Sequence, residues 1–208
     1  MELAKSFVPV RVDGDDRDDL IKQWQIRDLP CLVFFTPDGG VLARRENDYS
    51  NTEDAVRAVQ RKAADSWSKL RDARKAAQEA PEDREKLRAL AVQNYSLQLW
   101  DRAAEGFERL LVLDPQDETR QRAKTEEFLV YLDLMRERTD SAVLRAESFQ
   151  KARPESKALP QVLYWKGMAL LRLGRTVEAV AAWEETLERA PKGDYAKLAR
   201  EAIGKARR

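Results

Sequence analysis

Two stretches in the second half of the chain superimpose, which points to a stacked array of units. The first, EKLRALAVQNYSLQLWDRAAEGFERLLVLDP, ends at Pro115; the second, QVLYWKGMALLRLGRTVEAVAAWEETLERAP, ends at Pro191. Counted back from each proline, Leu87 aligns with Leu163, Ala91 with Gly167 and Asn94 with Leu170. Further along, Ala103 aligns with Ala179, Phe107 with Trp183 and Leu111 with Leu187. Apolar residues three and four apart mark two amphipathic helices in each stretch. A unit of that size cannot bury its apolar face alone and must stack on neighbours. The two prolines stand 76 residues apart, a little over two periods of about 34 residues. A divergent copy therefore fits between them: a helix around 120–138, a turn at Thr139-Asp140, and a helix to Lys151 closed by Pro154. Asp194 to Ala206 is expected to form a last helix that covers the array with Ala196, Leu198, Ala199 and Ile203 and turns lysine and arginine outward.

These segments resemble tetratricopeptide (TPR) repeats. GMALLRLGRTVEAVAAWEETLERAP is the fuller match, while the earlier segment departs by placing Asn94 where an aromatic is usual. The resemblance implies small residues at Ala91, Gly167, Ala103 and Ala179, where paired helices approach closely, and Gly174 in an interhelical turn. It also implies that the first helix of each pair lines a concave groove. The candidate groove residues are Arg88, Val92, Tyr95, Glu127, Tyr131, Tyr164 and Met168. Tyrosines and aliphatics there suit an extended or helical peptide. The alternative is that they only pack the superhelix. The Lys/Asn pattern with which some relatives clamp a terminal carboxylate is not present.

The first 65 residues follow another rhythm. FVPVRV (Phe7 to Val12) alternates as a strand, with Pro9 at an edge or on the open side. Asp15 or Asp16 caps a helix reaching about Gln25, in which Leu20, Ile21 and Trp24 share a face. Cys31 to Phe35 is an apolar run bounded by turn signals, which predicts a buried strand. Pro37-Asp38-Gly39-Gly40 then supplies a hairpin turn into Val41–Arg45, with Leu42 inward. Asn51 or Thr52 opens a helix lined by Ala55, Val56, Val59 and Ala63. That helix continues through Trp67 and Leu70 to about Gln78 and is stopped by Pro81. Trp67 is expected to pack the two parts together.

The order of these elements, with I-R-D-L-P-C-L-V-F-F-T-P-D-G as its motif, resembles the C-terminal part of the thioredoxin fold. The resemblance implies that Leu29, Pro30 and Cys31 form the cis-proline loop, with Cys31 at a position usually held by threonine. Asp28 stands where the family has glycine. The Cys-x-x-Cys helix start and the strand before it are absent, so the chain reads either as internal to a longer gene product or as a degenerate descendant. Cys31 is open to two readings, a thiol beside a substrate groove or a small apolar residue opening a strand. The expected fold class is thus α/β plus all-α: a partial thioredoxin-like module over 1–65, a linker helix over 66–82, and TPR-like repeats with a capping helix over 83–208.

Composition bears on function mainly by exclusion. With no histidine and one cysteine, a Ser-His-Asp triad, a Cys-His pair, a His-ligated metal and an internal disulfide are excluded. Lys plus Arg (38) balance Asp plus Glu (37), so no global field draws the chain to nucleic acid or an anionic membrane. The acidic run Asp13 to Asp19 lacks the order of a calcium loop. The expectation is a non-catalytic scaffold for a protein or peptide partner, with no cofactor, metal, nucleic acid or membrane, and with self-association through the incomplete sheet as an option. The alternative is the C-terminal part of a thiol-disulfide oxidoreductase or redox-coupled chaperone. The default location is the cytoplasm, an export signal ahead of Met1 being left open.

Overall fold

The computed structural model describes residues 18–23, 26, 31–46, 53–118 and 120–207. The strand expected at Phe7–Val12, most of the acidic run, the Asn51/Thr52 cap, and Leu29 and Pro30 lie outside the described residues.

A short helix, α1 (Asp18–Gln23), precedes an antiparallel pair, β1 (Cys31–Phe35) and β2 (Val41–Glu46), in which Cys31 faces Glu46 and Phe34 faces Ala43. The register shifts between Phe34 and Phe35, and the turn beyond is built on Thr36. Its N–H donates to Gly40 O (2.8 Å), Gly39 N–H donates to Thr36 O (2.9 Å), and its hydroxyl accepts from Gly40 N–H (2.8 Å). Gly39 supplies the left-handed φ of 86°.

α2 (Glu53–Glu79) is one uninterrupted helix, about 40 Å long at 1.5 Å per residue. Its buried stripe has two tenants. Ala63 and Leu70 pack with Phe34, Leu42 and Ala43 of the β-pair and with Leu97 and Leu99, while Ala77 joins the core of the first helical hairpin. Trp67 is half-buried against the first of these clusters. The β-turn is also tied directly to the helices. Val41 N–H donates to Leu97 O (2.8 Å), and Asp38 pairs with Arg74 of α2 (2.8 Å) and with Arg102. Burial alone would raise the Asp38 carboxyl, but the Thr36 hydroxyl and the two arginines hold it below the usual carboxylate range.

Three helical hairpins follow: α3 (Arg84–Ser96) with α4 (Trp100–Leu113), α5 (Arg122–Met135) with α6 (Thr139–Ala152), and α7 (Leu159–Arg172) with α8 (Thr176–Arg189), closed by α9 (Asp194–Ala206). Each hairpin turns on the same Schellman motif. Leu99 N–H returns to Asn94 O, Arg138 N–H to Asp133 O and Arg175 N–H to Leu170 O, at 2.8–2.9 Å. The left-handed residues are Gln98, Glu137 and Gly174, with φ of 61°, 60° and 75°. This corrects the middle turn: it lies at Arg136–Arg138, and Thr139 and Asp140 already belong to α6. The physical reason is that Glu137 takes the left-handed conformation without the glycine that marks it in the third hairpin.

The shared motif sets one register for all three hairpins. Ala103, Ala142 and Ala179 occupy one fully buried position where the helices cross. Gly167 shows why such positions stay small. A Cβ there would lie 2.3 Å from Trp183 Nε1, which donates to Tyr164 O at 3.1 Å. Trp183 fills the last interhelical core with Leu134, Leu170 and Ile203. α9 covers that core with Ala196, Ala199 and Ile203. Leu198, expected inward, is 38 % exposed, because the buried stripe runs through positions 196, 199 and 203.

Candidate binding groove

The inner side of the stack is recognisable from which helices touch. The backbones of α5 and α7 and of α7 and α9 pack together, whereas the second helices α4, α6 and α8 reach one another through long polar side chains, Arg145 to Glu108 (3.4 Å) and Gln150 to Glu185 (2.9–3.0 Å). First helices that approach one another while second helices splay define a concave face on the side of α3, α5, α7 and α9.

Along that face runs a row of aromatic rings. Tyr95 of α3 meets Tyr131 of α5 at 5.5 Å between centroids, and Tyr131 meets Trp165 of α7 at 4.7 Å. Trp165 meets Tyr195 of α9 at 6.1 Å. Trp100 leans on Tyr95 and Tyr131 at the near end, and Phe128 lies under Tyr95 at 4.8 Å and stacks on Phe107. Most of these pairs are tilted or edge-on, the geometry that ring quadrupoles favour, worth about 0.5–1.5 kcal/mol each beyond simple burial. Four phenols are consequently weaker acids than usual. Burial raises Tyr131 and Tyr164, burial together with Tyr131, Tyr195 and Glu127 raises Tyr95, and burial with Glu127 pushes Tyr195 up to about 12.

The seven residues expected to line the groove occupy three equivalent repeat positions, and the structure treats them differently. Arg88, Glu127 and Tyr164 share one position. Arg88 donates to Thr125 Oγ1 across the α3–α5 gap (3.1 Å), and burial lowers its pKa against the pull of Asp114 and Asp117. Glu127 is 2 % exposed and pairs with Lys124 (2.8 Å), whose ammonium lies over Phe128. Tyr164 is 8 % exposed, within the core of the last hairpin. Val92, Tyr131 and Met168 share the second position; Val92 is 42 % exposed, whereas Met168 packs partly on that same core. Tyr95 sits one turn on from Val92 and joins the aromatic row. Sequence reasoning missed Trp100, Phe128, Trp165 and Tyr195. Trp165 was legible in principle: it follows Tyr164, and on α7 the inward step towards Tyr131 falls on it.

Cys31, the one described member of the expected thioredoxin-like loop, is half-buried. Burial and the facing Glu46 push its thiol up to about 11, against a smaller opposing pull from Arg44. Among the described residues no three acidic or cysteine side chains converge as metal ligands, and no helix is long and apolar enough to cross a membrane.

No protein-family model matches the chain, and no curated protein does. Solved structures do. A crystal structure of MamA is 21 % identical, with a TM-score of 0.56 over 76 % of this chain and 84 % of that one. A second crystal structure of MamA protein is 22 % identical, with a TM-score of 0.56 over 71 % and 74 %. A MamA RS-1 ArsTM double mutant is 18 % identical, with a TM-score of 0.53 over 74 % and 89 %. The chain is a TPR-like solenoid of helical hairpins. At these identities the likeness concerns fold alone, and it shows no thioredoxin-like module; the described sheet has two strands.

Proposed function

We propose that this chain is a non-catalytic protein-interaction scaffold that holds a peptide or protein segment against its concave face. The observation that carries the reading is the aromatic row from Trp100 and Tyr95 through Tyr131 and Trp165 to Tyr195, which follows the four inner helices without a break. Rings with few rotatable bonds bury area at low entropic cost, which makes them suitable anchors for an incoming chain. Arg88, Val92, Tyr95, Glu127, Tyr131, Tyr164 and Met168 define the groove, with Val92 and the ring edges as its open surface and Glu127 and Tyr164 as its support.

The finer reading keeps the first 65 residues as a thioredoxin-like remnant, 66–82 as a linker helix and 83–208 as the repeat module. Its support is the order β1, turn, β2, α2, with α2 packed on the sheet. Leu29, Pro30 and Cys31 would be that remnant's loop. A thiol whose pKa lies near 11 is protonated at neutral pH and a poor nucleophile, which weighs against the oxidoreductase alternative.

The test is a photo-crosslinking amino acid placed at position 92 on the inner face and at position 144, where Leu144 is 64 % exposed on α6. In cells, position 92 is expected to yield a discrete crosslinked protein and position 144 none. Equal crosslinking from both, or from neither, contradicts the reading.

A further inference from the structure

The three hairpins are not joined alike. Between the second and third, α5 packs on α7 as well as α6 on α7, and two buried cores cross the joint. Val130 and Phe149 share one with Leu159 and Leu163; Leu134 and Ala142 share the other with Leu170. Helices α5 to α9 therefore form one body. The β-pair, α2, α3 and α4 form another. There α2 divides its buried stripe between the sheet and the first hairpin, while Val41 and Asp38 tie the β-turn to Leu97 and Arg102.

Where the two bodies meet, the first and second hairpins pack through one pair of helices, α4 on α5, with Phe128, Leu129 and Leu132 set into the core around Phe107. α3 and α5 make no such backbone packing. Their gap is crossed by the Arg88 hydrogen bond to Thr125 (3.1 Å) and by the Tyr95 ring leaning on Phe128 and Tyr131. The ties around α4 are polar: Arg136 to Asp101 (2.7 Å) and Arg145 to Glu108 (3.4 Å), both carboxylates exposed. Ion pairs that open to solvent hold weakly.

The connection between the bodies is strained as well. Of the described residues in 114–121, Asp117 and Arg120 both stand at φ 54°, a left-handed conformation that costs energy for residues other than glycine. The connection 153–158, between the second and third hairpins, holds no left-handed residue. Strain stored in a connection narrows the energy gap to its alternative backbone states.

We propose that the joint between the first and second hairpins is a hinge, with α4 on α5 as its axis and 114–121 as its strained connection. Swinging one body against the other moves α3 towards or away from α5, and so narrows or widens the concave face at that point. That the moving gap is the mouth of a binding groove rests on the function proposed above; the hinge itself rests on packing and strain.

The test uses the whole chain carrying Cys31→Ser, spin-labelled in pairs, with distances read by double electron-electron resonance and no partner present. Lys62→Cys with Val112→Cys spans the first body, Leu144→Cys with Leu198→Cys the second, and Lys62→Cys with Leu144→Cys the joint; all four positions are exposed. The 62–144 distances are expected to spread about twice as widely as those of either other pair, as hinge motion between rigid bodies requires. Arg120→Gly, which relieves the left-handed strain, should broaden the 62–144 distances further, leave the other two pairs unchanged and melt no lower than the parent. Equal spread in all three pairs overturns the hinge, whatever the groove holds. So does an Arg120→Gly variant that leaves the 62–144 distances unchanged, broadens all three alike, or melts at a lower temperature.

Discussion

Gly167 shows how far one atom matters in this core. Adding a methyl there drives it into Trp183, whose indole N–H holds Tyr164 O and whose ring is fully buried. Gly167→Ala is expected to lose about 2–4 kcal/mol, the overpacking strain plus the broken hydrogen bond. Urea unfolding monitored by circular dichroism measures it. Glu137 is the opposite case. At φ 60° a non-glycine residue costs about 1–2 kcal/mol, so Glu137→Gly is expected to stabilise by about 1 kcal/mol in the same assay. The small residue at 167 was legible by alignment with Ala91, because steric limits recur with the repeat. The partner it protects was not, since a hydrogen bond from an indole to a carbonyl on another helix leaves no trace in spacing. Glu137 misled for a related reason: the conformation is carried by the turn, and nothing in a glutamate announces it.

At the scale of elements, the helices were legible wherever an apolar stripe met a stop signal. α2 runs as read because Ala63, Leu70 and Ala77 repeat along one side and Pro81 ends it. The small positions in the first and third hairpins follow from the alignment. Alignment does not supply which inward side chains meet across helices: Tyr164, at a groove position by register, is buried in the core, and Trp165 makes the contact with Tyr131. The aromatic row that results has a pH signature. Tyr95, Tyr131, Tyr164 and Tyr195 all hold their protons more tightly when folded than at the ordinary value of 10.0. A raised folded pKa contributes stability that is fully present below pH 10 and is lost as the pH climbs beyond it. Tyrosinate absorbance of these four should therefore stay low past pH 10 and then rise together with loss of the helical signal. Titration near pH 10 with the helices intact would contradict the packing described here.

For the whole molecule, the β-pair and the solenoid are held together by shared parts. α2 buries one half of its stripe under Phe34 and Leu42 and the other half against the first hairpin, and Asp38 bridges α2 and α4. Balanced charge and the lack of histidine set the expectation of a scaffold, and what the structure shows is the fold, a solenoid of helical hairpins. What the proposed groove would hold is not encoded in repeat spacing, because its rings also pack the superhelix. The most direct measurement of the central claim is the affinity for the partner crosslinked at position 92, determined by calorimetry for the unmodified chain, Val92→Asp and Val177→Asp. Both valines are exposed, at 42 % and 85 %, so both variants should fold. Binding through the concave face predicts at least a tenfold loss for Val92→Asp and no change for Val177→Asp; equal affinities in all three proteins would contradict it.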